Sequence, residues 1–543
     1  MAMDAAAPLS VVERRIAVAA ALCLASFVIV GARLIDATLF KGHESSVAAS
    51  HEAFAMRADI VDRNGELLAR DLPVHDLYAQ PGVFWNREQA ASELAAATGA
   101  SVARLRRIFS SKHHYVLVAR QLAPDAQDKV MRLGLPGLEF VRSYKRYYPK
   151  GYAAAQVIGA TDQDGNGLTG LELGLGSRLR APADGTPPKP VQLSLDMRVQ
   201  YALAQELENA RQEFSAKAAG GIVMNVDTGE VLAMASLPAP GDGAVVDPTS
   251  GADPYRNRMV DDVYELGSVF KIFSFSMALE NHTITSLDEQ FPIGRGYKVG
   301  RYTIHDAEKM PATLPVRDIL AQSSNIGTAQ IVLRSGAEKQ KAFLAKLGLL
   351  SPLHTELPGD ARPLYPSRWG DIETATIGFG QGISISPLSY VRAAAEVVNG
   401  GRAITPTFLK HPSDARGAQL ISPETSATIR QLLRYVVTNG TGKNADVPGY
   451  DVGGKTGSAQ VPGPGGRYLH GALRTSFCAI FPDDNPRYLV FVLLDRPHGT
   501  KKTFGLALAG FTTAPLAGRV IARIAPLLGL PPAPVHTVAK ENS

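Results

Sequence analysis

The order of the β-prone segments constrains this chain more than any other feature. Residues 221–226 and 230–235 are largely apolar and flank Asp227, Thr228 and Gly229, the pattern of a tight hairpin. A helix-rich middle then runs to about residue 440, and strand patterns return at 450–459, 476–481 and 488–494. A last helix is expected over residues 514–527. Strands at both ends of a helical stretch predict one sheet, assembled from distant parts of the chain and covered by helices, within the α/β class. Asp196 can cap a helix whose apolar positions Val199, Ala202, Leu203, Leu207, Ala210 and Phe214 share one face. This unit therefore spans residues 191–530.

The preceding residues read differently. At 543 residues the chain suits two or three folding units. Residues 51–190 form an irregular mixed α/β region. It opens with a hairpin at 58–69 turning on Asn64 and Gly65, and continues with helices near 87–98 and 123–133. Residues 181–190, rich in proline and glycine, read as a linker. Residues 16–32 carry no charge and no proline, with Arg14 and Arg15 before them and Arg33 after. They read as one transmembrane anchor, extended to residue 40 with Arg33 snorkelling, or as a signal peptide. The anchor is the preferred reading because no small-x-small cleavage site follows the run directly. Residues 1–15 are then a cytoplasmic tail, and residues 531–543 are expected to be disordered.

Charge and cysteine usage exclude several classes. The net charge of +5 is spread thinly, with no basic block for a nucleic acid. Two cysteines, Cys23 and Cys478, provide neither a disulfide framework nor a metal or redox motif. No cofactor and no metal are expected.

Three short motifs carry chemistry. Ser268 and Lys271 stand at positions i and i+3, which share a helix face. A neutral lysine there can take the serine proton, and burial beside other cations would lower its pKa enough. A chain this long should contain roughly one or two such pairs by chance. Here, however, the lysine sits among Val269, Phe270, Ile272, Phe273 and Phe275, which is no setting for a surface lysine. Ser323 and Asn325 follow on a loop between helices; a hydroxyl and an amide there can relay a proton and hold a substrate amide. Alone, this pair is a helix cap. Lys455, Thr456, Gly457 and Ser458 lie in a β-prone stretch. The glycine lets a substrate backbone approach an edge strand, while the lysine and hydroxyls can hold a carboxylate.

Together the three motifs, in this order, form the signature of the penicillin-recognising serine acyltransferases, and the chain resembles the class B penicillin-binding proteins over nearly its whole length. Residues 264–268, YELGS, resemble the family's YEPGS block with Leu266 in place of proline. Residues 57–69 resemble the entry to the family's non-catalytic pedestal, with Ala58 for a common glycine. Residues 146–149, 155–159, 193–200, 378–382 and 440–442 resemble further family blocks, Gln156 standing where histidine is common. The resemblance implies a transpeptidase fold on a pedestal over 51–190.

It also implies roles. Ser268 would be acylated, with Lys271 as its base. Ser323 would pass a proton to the leaving amine and Asn325 would position the donor peptide. Lys455 would tune Ser323 and attract the substrate carboxylate, to which Thr456 and Ser458 would hydrogen-bond beside Gly457. The backbone N–H groups of Ser268 and Ser458 would form the oxyanion hole. Donors would be peptidoglycan stem peptides ending in D-Ala-D-Ala, and β-lactams would acylate the same serine. Residues 71–81 most resemble the division-type, FtsI-type branch. That branch implies inner-membrane anchoring, a periplasmic catalytic domain, work at the septum, and an FtsW-type glycosyltransferase with other divisome membrane proteins as partners. An elongation-type enzyme, a β-lactam hydrolase or sensor, and an inactive scaffold are the alternatives.

Single residues outside these motifs read more plainly. His305 and Asp306 suggest a loop salt bridge rather than a catalytic dyad. Trp85 and Trp369 suggest packing, and Cys478 an inert core thiol.

Overall fold

Strands that are apolar at every position need cover on both faces. The computed structural model describes residues 11–35, 56–181, 186–239, 256–359, 361–411, 414–463, 465 and 467–533. Five strands form one antiparallel sheet: β1 (Ala218–Asn225), β2 (Val231–Leu237), β3 (Gly453–Pro462), β4 (Tyr468–Phe481) and β5 (Tyr488–Asp495). Their order is β3-β4-β5-β1-β2, so the distant segments join where Val490 of β5 faces Val223 of β1. Five helices complete the frame: α1 (Met197–Glu213), α2 (Lys271–Glu280), α3 (Asn325–Ser335), α4 (Pro423–Asn439) and α5 (Thr513–Leu527).

Side chains alternate between the faces. Phe477, Ala479, Phe481, Val490 and Val492 enter one core with Leu203 and Leu207 of α1 and Ile521 and Ile524 of α5. Cys478, Ile480, Leu489 and Phe491 enter the other with Phe273 and Phe275 of α2 and Ile429 and Leu432 of α4. The expected antiparallel sheet covered by helices is therefore present. Strand β3 lies at its edge, pairing with β4 alone.

The expected helical middle is interrupted. Gln290–Pro292 pairs with Thr313–Pro315, and Tyr297–Val299 with Tyr302–Ile304, as two short ribbons. Gly294, Gly296 and Gly300 break any helical period there.

The described residues divide into two compact units, one containing residues 73–144 and the other residues 57–72 with those from 145 onward. In the smaller, residues 75–79 pair with Val116–Leu122, and helices Arg87–Thr98, Val102–Phe109 and Pro124–Arg132 accompany them. Leu77, Leu94, Leu105, Phe109, Val118 and Val130 form its core. In the larger, Ile60–Val61 pairs with residues 67–69 and with Val191–Gln192.

Val11–Ile35 is a 25-residue helix. Its side chains are described over 18–31, and Leu24 and Phe27 there are 70% and 78% exposed. Among the described residues no helix is long and apolar enough to cross a membrane. Residues 1–10 of the expected cytoplasmic tail, 36–40 of the expected anchor and 534–543 of the expected tail lie outside the described residues.

Trp85 is not a packing residue: its ring is 99% exposed. Trp369 does pack, its indole N–H donating to Gln340 Oε1 at 2.9 Å. Cys478 is buried, and burial pushes its thiol up to about 12, which keeps it inert.

Candidate active site

Ser268 sits in a 3₁₀ turn, Gly267–Phe270, that leads into α2. Gly267 enters this turn at φ +63°, and a Cβ there would lie 3.0 Å from Ser458 O. The turn thus lies directly against β3. Gly457 makes the same approach from the strand side, since a Cβ on it would stand 2.6 Å from Leu266 O. Only glycine at both places lets backbone meet backbone. Leu266, where proline was the family expectation, is buried and leaves this contact intact. Tyr390 OH donates to Val269 O at 3.1 Å and pins the turn from beneath.

The first turn of α2 places Lys271 below the serine. Its side chain is 0% exposed. Nζ lies 2.6 Å from Ser323 O, 2.9 Å from Asn325 Oδ1 and 3.2 Å from Ser323 Oγ. All three acceptors are neutral. Burial and the charge of Lys455 hold the Lys271 ammonium well below the usual lysine range, while Asp306 pulls the other way. Lys455, on β3, is also 0% exposed and donates to Ser323 Oγ at 2.9 Å. Burial pushes its ammonium down to about 7.

Ser323 is held between the two lysines by an unusual backbone. It lies at φ +61°, a left-handed conformation that costs a non-glycine residue about 1–3 kcal/mol. The turn aims both Ser323 O and Ser323 Oγ at Lys271. Ser324 then caps α3, accepting from Gly327 N at 3.0 Å.

A cavity of about 390 Å³ opens above this network. Ser268, Ser323, Asn325, Thr456 and Ser458 line it, whereas Lys271 and Lys455 lie beneath. Ser268 faces this cavity, and among the described residues no hydrogen bond holds its Oγ. Ser458 Oγ accepts from Ala509 N at 3.1 Å. The eight residues singled out from sequence, Ser268, Lys271, Ser323, Asn325, Lys455, Thr456, Gly457 and Ser458, thus meet at one cleft.

One neighbour was missed and another misread. Thr441 Oγ1 lies 2.7 Å from Thr456 Oγ1 and lines the cavity; its place in the Gly440-Thr441-Gly442 block was the available signal. Asp306 forms no salt bridge among the described residues; it accepts from Ser324 Oγ and from the first N–H groups of α3. The expected His305–Asp306 pair is therefore replaced by a cap, and His305 Nδ1 lies 3.1 Å from Arg295 O.

Comparison with known proteins agrees with this geometry. The family profile described as "Penicillin binding protein transpeptidase domain" matches residues 219–518, and "Penicillin-binding Protein dimerisation domain" matches 52–181. The chain is 40% identical over 489 residues to the probable peptidoglycan D,D-transpeptidase FtsI of Caulobacter vibrioides, covering 87% of this chain and 82% of that protein. The chain belongs to the class B penicillin-binding proteins. As a member it is a serine-type transpeptidase. It is also 34% identical to the probable peptidoglycan D,D-transpeptidase PenA of Neisseria meningitidis, over 82% of this chain and 81% of that one. Among solved structures, penicillin-binding protein 3 of Mycobacterium tuberculosis, complexed with aztreonam, superposes with a TM-score of 0.68 at 27% identity. The match covers 89% of this chain and 98% of that one.

Proposed function

We propose that this transpeptidase cross-links peptidoglycan stem peptides through an ester on Ser268, during septal wall synthesis, and that β-lactams acylate the same oxygen. The observation that carries the reading is Ser323 Oγ held between two fully buried lysines at 3.2 and 2.9 Å, at the floor of the cavity that Ser268 lines.

The chemistry follows from donor counting. A neutral Lys271 has two N–H donors and one lone pair. Ser323 O and Asn325 Oδ1 can only accept, so they take the two donors. The lone pair is left to face a hydroxyl, either Ser323 Oγ or Ser268 Oγ. Ser268 Oγ gives its proton to Lys271 as it attacks the carbonyl carbon of the penultimate D-Ala. The N–H groups of Ser268 and Ser458 stabilise the oxyanion. The C–N bond breaks, and the departing D-Ala amine receives the proton through Ser323. Lys455, while protonated, attracts the terminal carboxylate, which Thr456 and Ser458 bind beside Gly457. Asn325 positions the donor peptide. An amine of a second stem then attacks the ester, its proton returns by the same path, and Ser268 is released. A β-lactam opens its ring in the first step and keeps its leaving group tethered, so the ester persists.

The division role is supported by the resemblance of residues 71–81 and by the FtsI relative. The uncharged run of residues 16–32 behind Arg14 and Arg15, with Leu24 and Phe27 exposed, supports a single-pass inner-membrane anchor with a periplasmic catalytic domain. An FtsW-type glycosyltransferase and other divisome membrane proteins are the partners this role calls for.

Labelling the purified protein with a fluorescent penicillin tests the reading. A stable covalent adduct is expected on the wild type and almost none on Ser268→Ala. Equal labelling of the two proteins overturns the assignment, and rapid turnover of the penicillin favours a hydrolase.

A further inference from the structure

The first three N–H groups of α3 have no partner within the helix and need one outside it. Ser324 Oγ takes Gly327 N at 3.0 Å. The other two go to a residue nineteen and twenty positions earlier in the chain: Asp306 Oδ1 accepts from Asn325 N at 2.5 Å and from Ile326 N at 3.1 Å. Asp306 Oδ2 accepts from Ser324 Oγ at 2.8 Å. One carboxylate therefore grips three successive residues, directly after the left-handed Ser323 and at the positive end of the helix dipole. The residues that follow Asp306, among them Ala307, Glu308 and Met310, form a wall of the cavity.

We propose that Asp306 is a positioning residue for the transfer, locking the Ser323–Asn325 turn that carries all three partners of Lys271 and setting a carboxylate within electrostatic reach of that lysine. Asp306 touches neither substrate nor the reacting atoms; it acts through Ser324, Asn325 and Lys271. Two charges act on Lys271: Lys455 on β3 favours loss of its proton, and Asp306 opposes that loss. Glu308 and Lys443 carry the other charges at the cavity lining. The carboxylate thus has two separable effects. Its hydrogen bonds order the turn, and its charge sets the pH at which Lys271 becomes a base.

The proposal rests on Lys271 being the base for Ser268. Asp306→Asn keeps an acceptor for the two backbone N–H groups and removes the charge. The second-order rate of penicillin acylation should then rise along its acid limb at lower pH than in the wild type, by roughly half a unit to one unit. Asp306→Ala removes the grip as well, and acylation should fall about 10-fold or more. A purely structural cap would leave the Asp306→Asn limb where the wild type has it. An unmoved limb together with wild-type rates in both folded variants overturns the proposal. If Asp306→Ala does not fold, the position of the Asp306→Asn limb decides alone. A wild-type chain that forms no adduct would instead sink the reading of Ser268.

Discussion

Two clusters of buried charge in the larger unit are built on opposite principles. Near the start of that unit, Arg57 Nη2 meets Glu172 Oε2 at 2.6 Å, while Arg146 meets Glu172 Oε1 at 2.7 Å and Asp71 Oδ1 at 3.1 Å. Every cation there has a carboxylate. Burial works against the Arg146 cation, yet Glu172 and Asp71 hold its pKa above the usual arginine value. Around Ser268 the two cations, Lys271 and Lys455, are equally buried, and among the described residues neither forms an ion pair. Neutral oxygens satisfy their donors instead. The difference separates scaffolding from chemistry. A paired arginine cannot lose its proton and holds three chain segments together. A lysine among neutral acceptors is poorly compensated as a cation, so it can become a base.

Breaking the paired cluster should have the largest effect on stability. Glu172→Ala leaves the buried Arg57 guanidinium with no carboxylate, only backbone carbonyls, and leaves Arg146 with Asp71 alone. A loss of about 3–5 kcal/mol is expected in urea unfolding, with the acylation rate of the remaining folded protein changed by less than a few-fold. Breaking the unpaired cluster should do the reverse. Lys271→Met removes the proposed base, a role that contributes about 10²- to 10⁴-fold to proton transfer. Acylation by a fluorescent penicillin should fall by about that factor while unfolding stability holds or rises, because a desolvated amine is replaced by an apolar chain. If Lys271→Met instead destabilised the fold as Glu172→Ala does and still acylated, the two clusters would not differ in kind.

The same contrast explains what was legible in the sequence. The sheet could be read because residues 477–481 and 488–494 are apolar at nearly every position, a pattern that two covered faces demand. The first half of β4 could not: His470, Gly471 and Arg474 interrupt the pattern because residues 468–474 are exposed or half-buried. The three motifs were readable because each keeps its residues within one turn or one strand. Lys271 in particular announced its burial through its apolar neighbours. Asp306 was misread because its partners, Ser324 to Ile326, lie on another element, and local spacing says nothing about a contact made across eighteen residues. Trp85 was misread because an aromatic ring is core by default, and only the fold reveals that this one faces outward. The arginine cluster was equally hidden, since Arg57, Asp71, Arg146 and Glu172 come from four separate stretches.

The central claim is that the buried lysines carry different protonation states at working pH, Lys271 neutral and Lys455 cationic. The pH dependence of kcat/KM for the donor peptide, or of the second-order acylation rate with a carboxylate-bearing β-lactam, tests it directly. Raising the pH frees Lys271 of its proton, so the rate should climb along a limb well below the usual lysine value of 10.5. Burial pushes the Lys455 ammonium down to about 7, so loss of its proton, and of its pull on the carboxylate, should bring the rate down again. A bell with both limbs below the ordinary lysine range is the expected result. A rate that keeps climbing until about pH 10.5, as an unperturbed lysine would give, contradicts the account.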